Sequence, residues 1–157
     1  MTGELHPDLQ PLAFLLGSWS GEGEGTYPTT DPFRFREQVR FEDVGGSFLL
    51  YAQRSWMAED DAPVHFESGV VRPAGPGRVE FALAHPLGLT EISEGTIEHG
   101  TIDVASTSVG RSATGDPVTR LLRRYRVSDG VLAYELDMEM ESTPMTFHVR
   151  SELRRDP

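Results

Sequence analysis

The chain is 157 residues long, which suits a single domain with one core that buries roughly two thirds of the surface of the unfolded form. It carries 25 acidic against 14 basic residues, a formal charge of -11, which argues against nucleic acid and anionic membranes as partners because phosphate contacts need a basic footprint. Cysteine is absent, which excludes disulfides, thiolate nucleophiles and cysteine-held metals; every one of the 14 basic residues is Arg, which excludes lysine Schiff-base chemistry and a P-loop.

No apolar run approaches the roughly 20 residues of a membrane span, and the N-terminus lacks a basic segment followed by an apolar one, so the expectation is one cytoplasmic domain over residues 1–157. Residues 5–16 carry the one helical signal, with Asp8 placed to cap and Leu9, Leu12, Phe14, Leu15 and Leu16 apolar; Pro7 and Pro11 keep it short. His6 reads as an exposed, inert residue. From Gly17 onward, runs bounded by Gly, Pro, Asp and Ser recur every 8 to 12 residues or so, the mark of an all-β barrel or sandwich. About ten strands are expected, at 18–25, 33–43, 47–57, 64–72, 78–85, 89–95, 97–107, 117–128, 131–140 and 144–154. Their short connections predict an antiparallel up-and-down barrel of the lipocalin or fatty-acid-binding kind, closed so that no edge is left open.

Alternation assigns faces to several strands. Phe33, Phe35, Val39 and Phe41 share one face, and Glu37 stands among them. Leu132, Tyr134, Leu136, Met138 and Met140 oppose Glu135, Asp137 and Glu139. His85 falls in phase with Val79, Phe81 and Leu83, which aims it inward. Strand 64–71 leaves open whether His65 and Glu67 or Val64 and Phe66 face the core. In the last strand, Met145, Phe147, Val149 and Leu153 share a face, which puts Thr146, His148 and Arg150 on the other and makes His148 look solvent-facing.

The run Gly17-Ser18-Trp19-Ser20-Gly21-Glu22-Gly23-Glu24-Gly25 has strand character, not the strand–loop–helix context of a dinucleotide loop. Alternate glycines in a strand mark close backbone approach, a bend or a bound group, and closure of the barrel around Trp19 explains them as well as a ligand does. His65, His85 and His99 have no short metal-binding spacing; His99 lies at a turn, and Glu59-Asp60-Asp61 reads as a solvated loop. No Gly-x-Ser-x-Gly elbow supports a hydrolase triad. The residues alone thus lead to a barrel with one or two inward histidines around a pocket for an apolar ligand.

Together with Tyr27-Pro28-Thr29, Pro32-Phe33, Glu37, Pro63-Val64-His65-Phe66-Glu67-Ser68-Gly69, Arg72, Leu83-Ala84-His85-Pro86-Leu87-Gly88, Glu94-Gly95-Thr96 and the closing His148 with Glu152-Leu153-Arg154-Arg155, that glycine run resembles the nitrobindin family of haem-binding β-barrels. The resemblance implies a ten-stranded barrel holding one haem b per chain, with His148 as axial ligand, Thr29 beside the haem, and His65, His85 and Met138 lining the pocket. It also implies ferric-haem isomerisation of peroxynitrite to nitrate and nitric oxide binding by the ferrous form, in a monomer or homodimer. Asp116-Pro117 stands where the family has a lysine, so Arg120 or another arginine is the expected partner of the haem propionates. Two other readings use the same barrel: a metal-free carrier of a fatty acid or other apolar ligand, or a barrel filled by its own side chains. For His148 to face inward, the last strand must change register or bulge.

Overall fold

In the computed structural model, which describes residues 3–157, Leu9, Leu12 and Leu15 are buried at a spacing of three, so the N-terminal segment winds as a 3-10 helix, Pro7–Leu15. A three-residue turn stacks those leucines in one row, whereas an α-helix would splay them. His6 caps this helix by accepting from the Asp8 amide at 3.3 Å, a role the sequence assigned to Asp8 itself. The leucines close one end of the barrel, held there by Trp19 Nε1 donating to the Leu15 carbonyl at 2.8 Å and Arg155 Nη2 donating to the Phe14 carbonyl at 2.9 Å.

Ten strands follow: β1 (Gly17–Tyr27), β2 (Thr30–Asp43), β3 (Leu49–Met57), β4 (Pro63–Pro73), β5 (Arg78–His85), β6 (Leu89–Glu98), β7 (Thr101–Arg111), β8 (Val118–Ser128), β9 (Val131–Met140) and β10 (Thr143–Arg155). Each pairs antiparallel with its neighbours in sequence, and β10 returns to β1, so the sheet closes with no free edge. The β6–β7 turn falls at His99-Gly100, not before Ile97. Both turn residues have positive φ (49° and 74°), as do Asp129 and Gly130 (52° and 74°) in the β8–β9 turn.

Inward side chains divide the interior into two halves. Toward the 3-10 helix lies a packed apolar core that includes Trp19, Phe41, Phe81, Ile102 and Leu132. Toward the turns at 28–29, 58–62, 86–88, 112–117 and 141–142 the interior opens into a cavity of about 700 Å³. The barrel is therefore not filled by its own side chains, as one of the sequence readings had it.

Candidate functional site

The glycine-rich β1 makes room without lining the cavity. A Cβ at Gly21 would run into the Glu152 carbonyl of β10, and one at Gly25 into the Phe33 ring. The first glycine thus permits close strand approach, and the second lets a β2 aromatic fold over β1. Barrel closure, not ligand contact, explains the run.

His148 enters the cavity through a β-bulge in β10. Phe147 pairs with Asp137 and Val149 with Leu136, which leaves His148 without a partner on β9. The extra residue breaks the alternation: His148 and Val149, adjacent in sequence, both line the cavity. Arg150 does not follow them inward; it is exposed and donates through Nε to Glu24 on β1 at 2.6 Å. The solvent-facing assignment of His148 fails because strict alternation assumes an unbroken ladder.

The β1–β10 ladder ends at Gly25–Val149, so the next β1 carbonyl, that of Thr26, lacks a ladder donor and accepts from His148 Nδ1 at 3.1 Å. A ring that donates through Nδ1 keeps its lone pair on Nε2. Tyr27 packs edge-on against the imidazole, centroids 5.2 Å apart, and its hydroxyl donates to the Met138 carbonyl at 3.0 Å, bracing the ring from β1 to β9. Burial lowers the pKa of His148 and nearby His65 lowers it further, outweighing the hydrogen bond to Thr26, so the neutral ring is favoured. A fixed, neutral imidazole with a free Nε2 in an apolar cavity could ligate a metal.

His65, His85 and Met138 also line this cavity. Thr29 does not: it is exposed in the β1–β2 turn, and its neighbour Thr30 lines the cavity instead. The two histidines differ in freedom. His85, with 5% of its side chain exposed, has Nε2 2.9 Å from Glu91 Oε1 and Nδ1 3.3 Å from Glu67 Oε2. His65, 27% exposed, donates through Nε2 to Glu67 Oε2 at 3.3 Å and keeps Nδ1 unengaged. His65, Glu67 and His85 cluster closely enough to suggest a metal site, but Glu67 already accepts from Tyr51, Arg123 and His65. Its oxygens are engaged by protein donors.

The sequence reading missed Arg123 beneath the cavity. Its Nε and Nη2 donate to Glu91 at 2.9 and 2.7 Å, Nη1 and Nη2 to Glu67 at 2.7 and 3.0 Å, and Nη1 also to Tyr134 at 3.1 Å. Burial would raise both carboxyls, but the guanidinium outweighs it, holding Glu67 well below the usual range and Glu91 at about 2. The signal was present: Arg123 alternates in phase with Leu121 and Tyr125, and Glu91 with Leu89. Arg120, the expected propionate partner, is exposed outside the lining, and no lining residue is Arg or Lys.

This histidine-lined, apolar cavity can be set beside what comparison with known proteins finds. The family described as "THAP4-like, heme-binding beta-barrel domain" matches residues 8–155. Peroxynitrite isomerase 2 of Mycobacterium marinum is 43% identical over 159 residues, covering 99% of each chain. Peroxynitrite isomerase of Nocardia farcinica is 45% identical over 156 residues, covering 97% of this chain and 93% of that one. The crystal structure of Rv2717c from M. tuberculosis superposes with a TM-score of 0.91 at 40% identity, covering 98% of this chain and all of that one. The chain belongs to the THAP4-like haem-binding β-barrel family.

Proposed function

We propose that this protein binds one haem b through His148 and isomerises peroxynitrite to nitrate. The observation that carries the reading is the bulged His148, which sits in an apolar cavity with Nδ1 fixed to the Thr26 carbonyl and Nε2 free. Family membership and the names of relatives that match over nearly the whole chain support both the cofactor and the reaction. When bound, the haem supplies a Lewis-acidic, redox-active iron, which is the chemistry isomerisation needs.

The chain's own part is to hold, orient and enclose. Thr26 and Tyr27 fix the plane of the His148 ring, while Phe33, Met138 and Leu136 provide walls for an apolar macrocycle. In this reading His65 faces the ligand side with one ring nitrogen unengaged, and His85 is held back by its two carboxylates. With no Arg or Lys in the lining, no cavity residue of those types would pair with the haem propionates. Nitric oxide binding by the reduced protein is the finer part of the reading, supported by the nitrobindin-like sequence islands and by an apolar cavity that admits a neutral diatomic.

Hemin titration followed by absorption tests the assignment. The wild type develops a Soret band and His148→Ala does not; an unchanged band in the variant sinks the ligand role. Stopped-flow peroxynitrite decay then accelerates with the ferric protein. Haem uptake without acceleration leaves a carrier or sensor, not an isomerase. Ligation needs a neutral imidazole, and the depressed pKa of His148 extends haem retention below the ordinary histidine value of about 6.5. A spectrum that collapses at or above that value contradicts the buried, neutral ring.

A further inference from the structure

The base of the cavity holds polar side chains that burial leaves incomplete. Glu37, Gln53 and Ser151 are 3%, 5% and 4% exposed, and Glu37 Oε1, Gln53 Oε1 and Ser151 Oγ have no hydrogen-bond partner among the described residues. Glu37 and Gln53 line the cavity from β2 and β3; Glu37 pairs with Ser55 and Val39 with Gln53, so the two inward groups are diagonal neighbours. Ser151 on β10 pairs with Gly23, and Glu37 with Gly21. Both intervening β1 positions lack side chains, which brings the Ser151 hydroxyl beside the Glu37 carboxyl.

The surrounding charged donors are engaged elsewhere. Arg123 directs all five N–H groups to Glu67, Glu91 and Tyr134, and both ring nitrogens of His85 face carboxylates. The base therefore offers neutral hydrogen-bonding groups and no free positive charge. An incoming carboxylate meets Glu67 and Glu91 as like charges, and an ammonium finds no ionised partner at Glu37, which burial, and then the charge of Glu67, push up to about 8. A neutral Glu37 carboxyl can donate through one oxygen while its other accepts.

We propose that Glu37 and Gln53 form a binding subsite for the uncharged hydroxyl head of an apolar small molecule, whose body lies against Phe35, Leu121, Leu136 and Met138. The hydroxyl donates to Gln53 Oε1 or Glu37 Oε1 and accepts from the Glu37 O–H. No residue of this subsite is a proposed iron ligand, but Leu136 and Met138 also wall the haem in the proposed function, so the molecule takes this subsite in the haem-free chain. The subsite also turns the carrier alternative away from fatty acids, because the one buried cation beneath the cavity is already paired.

Calorimetric titration of the full chain at pH 7, before hemin is added, compares 1-octanol, octanoate and octylammonium. Octanol binds about tenfold or more tightly than either charged analogue, since a site built around a hydroxyl rejects heads that leave its buried groups unpaired. Gln53→Leu and Glu37→Leu each weaken octanol about tenfold, with folding checked by circular dichroism. Octanoate binding as tightly as octanol overturns the proposal, and octylammonium binding more tightly shows an ionised Glu37 and overturns it as well. The absence of any octanol binding does the same. The wild-type comparison decides the matter even where a variant fails to fold.

Discussion

Glu37 is the clearest case of a single residue whose surroundings set its chemistry. It stands in phase with Phe35, Val39 and Phe41, and burial raises its pKa from 4.5 to about 8, with Glu67 adding to the effect. Between those values the native state keeps a proton that the unfolded state releases, so stability falls as pH rises through the window and the loss is complete only above about 8. The size is on the order of 5 kcal/mol across the window. Glu37→Gln has no proton to lose there. Its melting temperature from pH 5 to 9 is therefore expected to be flatter than that of the wild type, and parallel curves would show that Glu37 is ionised in the native state. The two cavity histidines divide in the same way. His85→Leu strips a buried partner from both Glu67 and Glu91 and should cost about 2 kcal/mol in urea denaturation, whereas His65→Leu, at a partly exposed position, should cost about 1 kcal/mol or less.

At the scale of elements, the number, order and pairing of the strands were legible because alternation and turn residues are local signals. Phe33 to Phe41, Val79 to His85 and Leu132 to Met138 all face where their periodicity puts them. Two features were not legible. The 3-10 helix depends on leucines spaced by three, which an α-helical reading blends into one apolar stripe. The β10 bulge depends on where the β1 ladder ends, a relation between residues 26 and 148 that no window along the chain contains. The glycines of β1 allow a direct test of strand packing. Gly21→Ala drives a Cβ into the backbone of β10 and should cost about 3 kcal/mol or more, because backbone cannot step aside. Gly25→Ala meets only the movable Phe33 ring and should cost about 1 kcal/mol, yet shift the Soret band of the hemin-loaded protein, because Phe33 lines the cavity next to His148. Equal costs for the two substitutions would refute this division.

Across the whole molecule, Arg123 marks the border between the packed half and the open half of the barrel, joining β8 to Glu67 on β4, Glu91 on β6 and Tyr134 on β9. Its in-phase position beside Leu121 and Tyr125 was readable, but its partners sit 56 and 32 residues away, so only the closed barrel brings them together. Removing the guanidinium while keeping its bulk, as in Arg123→Met, leaves two buried carboxylates facing each other and should cost about 3–5 kcal/mol at pH 7. The sign of the pH response should then invert. In the wild type both carboxyls titrate below their unfolded values, so stability is present at neutral pH and is lost as pH falls toward about 2. In the variant, unpaired burial raises them, so acidification from pH 7 to 5 neutralises the pair and recovers stability. Adding Glu67→Gln and Glu91→Gln to Arg123→Met removes the charges altogether and should restore much of the loss at pH 7. Denaturation midpoints of the single and triple variants at the two pH values check this. A single variant that weakens further on acidification would mean that Arg123 acts by packing and not as the counter-ion that makes a polar floor tolerable inside the barrel.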